Sequence, residues 1–391
     1  MAQNRPFRRG ANNAASQRQD DKRSGDHGTN AMDKTWFEHL TIDLIVHVLA
    51  NSVFHPFIAW LVPVCLRATE VPLTSPKVLG SCVYAGLVSL CWLFGVVDQR
   101  IAYGLPRELD WSDEVVVITG GASGLGKTLA EIYGMRGASV AILDVRMPKT
   151  DESDGLARVQ FYECDVGDAD AVEKAKTRIE DDLGAPTILI NNAGIVHGKP
   201  LLSLSAPEIQ KTISVNLISH FNTIRTFLPA MLASPTGGTI VTVASVLGKL
   251  GARNLSDYTA SKAGLIAMHA SLRAELSSSA APPGAENVRM VLVTPGQLST
   301  ALFKGVKTPS SFFGPVVEPV GLAREIVKMV DAGQSGEISL PLYARWIECL
   351  HVLPVGVQRM VRWLSGMDQA MDSFSKEDVS VHAAASRRKD D

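Results

Sequence analysis

Residues 119–128 read Thr-Gly-Gly-Ala-Ser-Gly-Leu-Gly-Lys-Thr, and two nucleotide-binding patterns fit this stretch at once. From Gly121 it is G-x-x-x-x-G-K-T, a phosphate loop in which Lys127 would hold phosphate oxygens and Thr128 would ligate magnesium. From Thr119 it is T-G-x-x-x-G-x-G, a glycine-rich dinucleotide turn. Either way Val115–Ile118 is a buried strand, and the chain enters a helix near Gly124. The N-terminus of that helix offers unpaired N–H groups and a positive dipole end to a phosphate. The stretch announces a phosphate-bearing ligand and leaves hydride transfer and phosphoryl transfer both open.

Outward from the loop, apolar strands alternate with helical segments from Trp111 to about Leu340. Strands are expected at Val115–Ile118, Ser139–Leu143, Val159–Tyr162, Thr187–Ile190, Gly238–Val243 and Val288–Val293. Helices are expected between them, among them Lys127–Arg136, Ala169–Asp182, Ala206–Leu228 and Ser256–Leu276. Short apolar strands alternating with helices predict an α/β fold, a doubly wound parallel sheet with helices on both faces.

A second feature favours phosphoryl transfer at first sight: Val140–Asp144 is four apolar residues followed by an aspartate. That strand begins barely one helix after the loop, however. Asp144 therefore stands about twenty residues past the glycines, where a dinucleotide-binding fold places the carboxylate that meets the adenosine ribose. More distant residues decide the matter. Tyr258-Thr-Ala-Ser-Lys262 lies in a helical segment, so tyrosine and lysine share one face. Ser245 ends the strand Ile240–Ala244, Asn191-Asn192-Ala193-Gly194 follows another strand, and Asn216 lies mid-helix. Pro295-Gly296-x-x-x-Thr300 follows the last strand. Each item alone is common, and Y-x-x-x-K is usually surface decoration. Their order and placement are not accidental together, and phosphoryl transfer explains none of them.

In these residues the chain resembles the short-chain dehydrogenase/reductase family, over roughly residues 112–341. Within it, Thr212–Asn216, Thr242–Ser245, Asp257–Lys262 and Met371–Phe374 are similar to the membrane-bound retinol dehydrogenase and 17β-hydroxysteroid dehydrogenase branch. The resemblance implies a Rossmann-type domain and an NAD(P)-dependent oxidoreductase.

The chemistry follows from the residue types. A phenol with a pKa near 10 exchanges protons poorly at neutral pH, and a neighbouring ammonium favours its phenolate. Lys262, one turn from Tyr258, is therefore expected to lower it, and Tyr258 to act as acid and base. Ser245 would hydrogen-bond the substrate oxygen as charge develops there, so Ser245 and Tyr258 are also the substrate contacts. The resemblance adds that Lys262 holds the nicotinamide ribose and that Asn216 positions a water in the proton relay.

For the cofactor, Gly120, Gly124 and Gly126 permit the turn and a close approach to pyrophosphate. Asp144 would accept from a ribose 2′-hydroxyl and repel a 2′-phosphate. No Arg or Lys lies among Gly121–Leu125 to attract one, so NAD is expected over NADP. NADP stays open, because Arg146 is two residues on and can swing in. Further contacts implied by the resemblance are Ser123 and Leu125 in the turn, with Asp165 and Val166 beside the adenine. Asn192, Gly194, Tyr258 and Lys262 would lie along the nicotinamide side, with Leu298 and Thr300 closing over the carboxamide. No metal site is expected.

Outside the dehydrogenase region the sequence changes character. Residues 1–34 are polar and basic, too poor in large apolar side chains to fold alone, and read as a disordered tail. Residues 35–108 read as a membrane anchor with apolar runs at 44–66 and 78–97. Val78–Val97 carries no charge and is long enough to span a bilayer, whereas Leu44–Leu66 is broken by His47, Asn51, His55, Pro56 and Pro63. Basic residues flank both outer ends, from Arg5 to Lys34 and at Arg100 and Arg107. By the positive-inside rule this favours a hairpin with both ends cytosolic, with a single pass as the alternative.

The dehydrogenase domain then covers 109–340, and 341–391 is a C-terminal amphipathic segment with a polar tail. The segment mixes tryptophans and arginines (Trp346, Trp363, Arg345, Arg359, Arg362), which suits a membrane interface or a helix closing over the substrate cleft. Phe303, Phe312 and Phe313, among glycines and prolines at 297–318, suggest an apolar flap.

A net charge of −2 gives no global case for nucleic acid, and five cysteines without C-x-x-C spacing suggest neither disulfides nor zinc. The expected partners are a lipophilic alcohol or carbonyl (retinoid, steroid or long-chain lipid), a membrane of the endoplasmic reticulum or lipid droplet, and a second copy as a homodimer. A non-catalytic cofactor-binding scaffold on a lipid surface is the competing expectation.

Overall fold

The structure is a computed structural model, and it describes residues 40–147, 158–303, 306, 308 and 310–369. The polar N-terminal tail and residues 370–391, including the Met371–Phe374 stretch, lie outside the described residues.

Among the described residues, seven parallel strands form one sheet: β1 (Val115–Thr119), β2 (Ser139–Asp144), β3 (Val159–Glu163), β4 (Ile188–Asn191), β5 (Gly238–Val243), β6 (Val288–Val293) and β7 (Gly336–Ile338). Their order across the sheet is β3-β2-β1-β4-β5-β6-β7. Six lie within about a residue of the expected positions. β7 is the addition: Gly-Glu-Ile is too short to show a period, and it forms because Val291–Val293 offers an edge to pair with.

Side chains alternate across this sheet and build two cores. Val116 and Ile118 face one side, with Leu129 and Tyr133 of helix α4 (Gly124–Met135) and Leu322 and Ile326 of α9 (Pro319–Asp331). Val115 and Val117 face the other, with Val172 and Ile179 of α5 (Ala169–Leu183) and Phe227 and Met231 of α7 (Ser219–Ala233). At roughly 25 cal/mol per Å² of buried apolar surface, these two layers supply the main driving force for folding.

The segment expected as one helix over Ala206–Leu228 is instead three pieces. α6 (Ala206–Ile213) begins with a capping box between Ser205 and Glu208, a wide π-helical turn follows at Ser214–Ile218, and α7 continues. Asn216 sits in that turn. The strand order reverses between β1 and β4, so a crevice opens at their carboxyl ends. The glycine turn, Asn192, Ser245 and Pro295–Gly296 all follow the carboxyl ends of β1, β4, β5 and β6.

The apolar N-terminal region forms α1 (Ile42–Asn51), α2 (Pro56–Ala68) and α3 (Pro76–Tyr103). α1 and α2 meet at a 52° bend, where His55 and Pro56 interrupt the run. α3 has 28 residues, and only 6% of its most apolar window is buried, so it lies outside the packed core. Two hydrogen bonds cross the inside of this unit: Trp60 Nε1 donates to Ser89 Oγ at 3.0 Å and Tyr84 OH to Val53 O at 2.6 Å.

Both ends of the unit meet the dehydrogenase domain. Ile42 N donates to Phe312 O at 3.1 Å, and Asp43 Oδ1 accepts from Leu342 N at 2.5 Å. At the other end Gln99 Nε2 donates to Ser335 O at 3.1 Å, and Arg273 lies 5.6 Å from the Tyr103 ring centre. Just beyond, buried Arg107 donates from Nη2 to both carboxylate oxygens of Glu114, at 2.7 and 2.9 Å. A buried ion pair is costly to break on one side, which fixes this linker under the sheet.

Candidate active site

The turn after β1 is shaped by contacts that exclude side chains. Gly120 (φ +63°) and Gly124 (φ +53°) adopt left-handed backbone, and a Cβ on Gly126 would stand 2.3 Å from the Gly120 carbonyl oxygen. α4 starts at Gly124, and its N-cap Ser123 makes no side-chain cap, so the first amides of the helix keep their anion-binding capacity. Leu125 and Gly126 are buried in its first turn. Thr300 places its methyl 3.4 Å from where a Cβ on Gly124 would be, so the flap reaches the turn. Leu298 meets Val317 in a short bridge behind it.

Asp144 ends β2 half-buried; its Oδ2 accepts from Ala122 N and its Oδ1 from Arg146 N, both at 3.1 Å. Arg146 is exposed beside it. Asp165 accepts from Lys211 Nζ at 2.8 Å and from Gly167 N at 3.0 Å, and the Lys211 contact holds its carboxyl below the usual range. Val166 is buried next to it. The Asn192 amide donates to Thr119 O and Gly120 O, each at 3.1 Å, so this side chain shapes the glycine turn. Lys127, the focus of the phosphate-loop pattern, is half-exposed and pairs with Glu131 at 3.6 Å along α4.

Asn216, fully buried, clamps the loop after β4: Oδ1 accepts from Ile195 N at 2.8 Å, and Nδ2 donates to Ile195 O at 2.9 Å and Ser261 Oγ at 3.2 Å. A π-helical turn is what aims a mid-helix side chain this way, and such turns concentrate at functional sites. A Cβ on Gly194 would lie 3.6 Å from Asn216 Oδ1 and 3.7 Å from Lys262 Nζ, so the three residues border one small space.

Tyr258 and Lys262 lie one turn apart on α8 (Ser256–Leu276), both buried. Ser245 follows β5; its Oγ accepts from Leu247 N at 3.1 Å, and its hydroxyl acts on the Tyr258 phenol so as to favour the phenolate. Burial pushes Tyr258 up to about 12, against the pull of the Ser245 hydroxyl, and pushes Lys262 down to about 8. This differs from the expected lowering of Tyr258 by Lys262. The Lys262 ammonium donates to Val243 O at 2.9 Å and stands 5.8 Å from the Tyr258 ring centre, so desolvation outweighs its attraction for the phenolate.

Ser245 opens onto an apolar cavity of about 600 Å³. Leu247 and Leu255 form one wall, Phe303 and Phe313 the flap, and Tyr343, Trp346 and Leu350 a C-terminal hood. The hood runs through α10 (Tyr343–Trp346) and a 3₁₀ stretch to α11 (Val355–Ser365). Phe303 packs edge-on against Tyr258, with ring centres 5.9 Å apart. Tyr343 is wedged close to Gly296 and Gly314: a Cβ on Gly296 would stand 2.9 Å from its hydroxyl and one on Gly314 3.3 Å from its ring.

One polar network was missed from the sequence. Buried Asp257 Oδ2 accepts from Thr212 Oγ1 at 2.8 Å, and His197 Nδ1 lies 2.9 Å from Thr212 Oγ1. It joins the loop after β4 to the residue preceding Tyr258. The one available signal was an acidic residue in the first turn of a helix, which ordinarily means only a favourable dipole contact.

A short chain dehydrogenase family profile matches residues 114–310. An uncharacterized oxidoreductase of Saccharomyces cerevisiae is 31% identical over 64% of this chain and 82% of its own length. Human epidermal retinol dehydrogenase 2 is 30% identical over 72% of this chain and 92% of its own. Among solved structures, a short chain dehydrogenase of Burkholderia cenocepacia in complex with NADP superposes with a TM-score of 0.53 at 25% identity, covering 65% of this chain and 98% of that one.

Proposed function

The chain belongs to the short chain dehydrogenase family, and from that premise we propose a membrane-anchored oxidoreductase in which Tyr258 exchanges the proton between a lipophilic alcohol and its carbonyl. The coarser statement is established: it is an enzyme interconverting alcohol and carbonyl groups with a nicotinamide dinucleotide, and it is similar to the retinol dehydrogenase branch. The observation that carries the finer reading is the placement of Ser245 at the wall of a 600 Å³ apolar cavity, with Tyr258 packed against Phe303 of the same cavity.

The glycine turn fits a dinucleotide, because a Cβ at Gly126 would collide with the turn and uncapped amides of α4 face the crevice. When bound, the cofactor supplies the hydride acceptor or donor. The chain's own residues do the rest. Ser245 holds the substrate oxygen and stabilises charge there. Tyr258 gives or takes the proton on that oxygen. Lys262, next to Gly194, would hold the nicotinamide ribose and bias Tyr258 electrostatically. Asn216 fixes Ile195 and the space beside Lys262. Phe303 and the hood exclude water.

Asp144 supports a preference for NAD, since its carboxylate would repel a 2′-phosphate; the exposed Arg146 beside it is the residue that would admit NADP. Three apolar helices, with one span-length helix largely unburied, support membrane anchoring. Because both ends of the helical unit meet the dehydrogenase domain, a hairpin with that domain on the cytosolic face of endoplasmic reticulum or lipid droplet is the favoured topology. Full protection of the C-terminal tail from protease in sealed membranes would sink it.

A panel of lipid alcohols and ketones, run with both cofactors on detergent-solubilised protein, tests the whole reading. Turnover that disappears in Tyr258→Phe supports it. Undiminished cellular function of Tyr258→Phe would favour a non-catalytic scaffold, and binding of ATP with magnesium but neither dinucleotide would overturn the assignment.

A further inference from the structure

Helix α11 is amphipathic in the wrong direction for a protein surface in water. Arg362 turns inward, its Nη2 donating to Gly251 O at 2.9 Å, and half-buried Gln358 donates from Nε2 to Leu353 O at 2.7 Å. Its apolar side chains turn outward, with Met360 at 54%, Leu364 at 67% and Trp363 at 76% exposed. On a helix with 100° between residues these three fall on one face. The preceding hood extends the same surface with Trp346 and Val352, while Arg345 and Arg359 stand exposed at its margin, with Glu348 as the acidic exception.

We propose that this outward face of α11 and the hood lies in the interfacial layer of the same bilayer that holds the anchor, so that the substrate cavity opens toward lipid. The occupant is a phospholipid surface for three reasons. The hood is continuous with the anchor, because Leu342 N donates to Asp43 of α1 and Phe312 of the flap accepts from Ile42. Trp and Arg around an apolar face match the acyl–headgroup boundary, and the two arginines complement anionic headgroups. The inner side of the same helix lines the cavity through Val361 and Ser365, which puts one element between lipid and substrate. The inference rests on the membrane-anchored reading of the previous section and adds a second, separate contact.

The test uses the full chain in vesicles of phosphatidylcholine with one-fifth phosphatidylserine, a composition chosen for its anionic surface. The difference in tryptophan emission between wild type and Trp363→Phe isolates Trp363. The expected result is loss of about half of that emission with shallow brominated lipid, and little quenching by aqueous iodide. A second variant, Met360→Glu with Leu364→Glu, is expected to lower turnover of a bilayer-partitioned alcohol several-fold while sparing a short water-soluble alcohol.

Trp363 open to iodide and untouched by bromolipid, in vesicles that retain the protein through alkaline carbonate, overturns the docking face and leaves the anchor standing. Trp363 shielded from both quenchers overturns it in favour of a protein covering, such as a second copy. Release of the chain by carbonate overturns the anchor, whatever Trp363 reports.

Discussion

The Lys262 ammonium donates to the main-chain carbonyl of Val243 at 2.9 Å and not to the phenol one turn away. A buried lysine held by a single neutral partner is an unstable arrangement kept for another purpose. Lowering Lys262 from 10.5 to about 8 corresponds to roughly 3 kcal/mol of lost stability while it is charged. The folded state binds fewer protons than the unfolded one between those values, so this cost is full below pH 8 and vanishes above about 10.5. Lys262→Met is therefore expected to raise the melting temperature at pH 7, less about 1 kcal/mol for the lost hydrogen bond, while abolishing turnover. Thermal unfolding and a rate assay on the same sample check it; an inactive and less stable variant contradicts it.

Carbonyl reduction should fall as pH rises through about 8. Burial keeps Tyr258 protonated to about 12, so the proton donor persists, whereas Lys262 loses its charge near 8. Lys262→Arg, which stays charged far higher, should move that fall upward even if its absolute rate is poor. An unmoved pH profile would detach Lys262 from the proton step.

If Tyr258 is the proton-exchanging group proposed above, Tyr258→Phe should cost about 10² to 10⁴ in kcat with cofactor binding intact. Ser245→Ala should cost on the order of 10² to 10³ through lost stabilisation of charge on the substrate oxygen. Dinucleotide titration followed by fluorescence separates these effects from unfolding.

Gly126→Ala and Lys127→Ala read the opening sequence in opposite ways. Alanine favours a helix over glycine by about 1 kcal/mol, but a Cβ 2.3 Å from Gly120 O costs about 1–3 kcal/mol or moves the turn. Gly126→Ala should therefore weaken dinucleotide binding at least tenfold. Lys127→Ala removes an exposed pair contributing a few tenths of a kcal/mol and should leave binding unchanged. Loss of binding in Lys127→Ala would restore the phosphate-loop reading.

Asp144→Ala should relax the preference between NAD and NADP by about tenfold or more, because one ribose acceptor and one repelling charge disappear together. The ratio of kcat/KM for the two cofactors measures this. A ratio that stays fixed would assign the choice to Arg146.

Much of the sheet was legible because strands such as Val115–Thr119 and Val288–Val293 are buried on both faces and read as continuous apolar runs. The meaning of the glycine loop was legible too, through residues more than a hundred positions away. Features set by long-range pairing were not. β7 exists only because β6 has a free edge, and nothing local in Gly-Glu-Ile announces it. The π-helical turn at Asn216 leaves no period to detect. The Asp257–Thr212–His197 network joins three segments whose proximity is purely tertiary. The direction of the Tyr258 shift was misread for a related reason: helical spacing placed the ammonium nearby, whereas burial depth and the Val243 carbonyl are tertiary properties.

The bonds from Ile42 to Phe312 and from Asp43 to Leu342 also decide how this enzyme should count its substrate. On the proposed bilayer placement, a hood tied to its anchor would draw from a two-dimensional solvent, where concentration means molecules per lipid and not per litre. Adding empty phospholipid at fixed enzyme and substrate should then slow turnover by surface dilution alone, although nothing in the aqueous phase has changed.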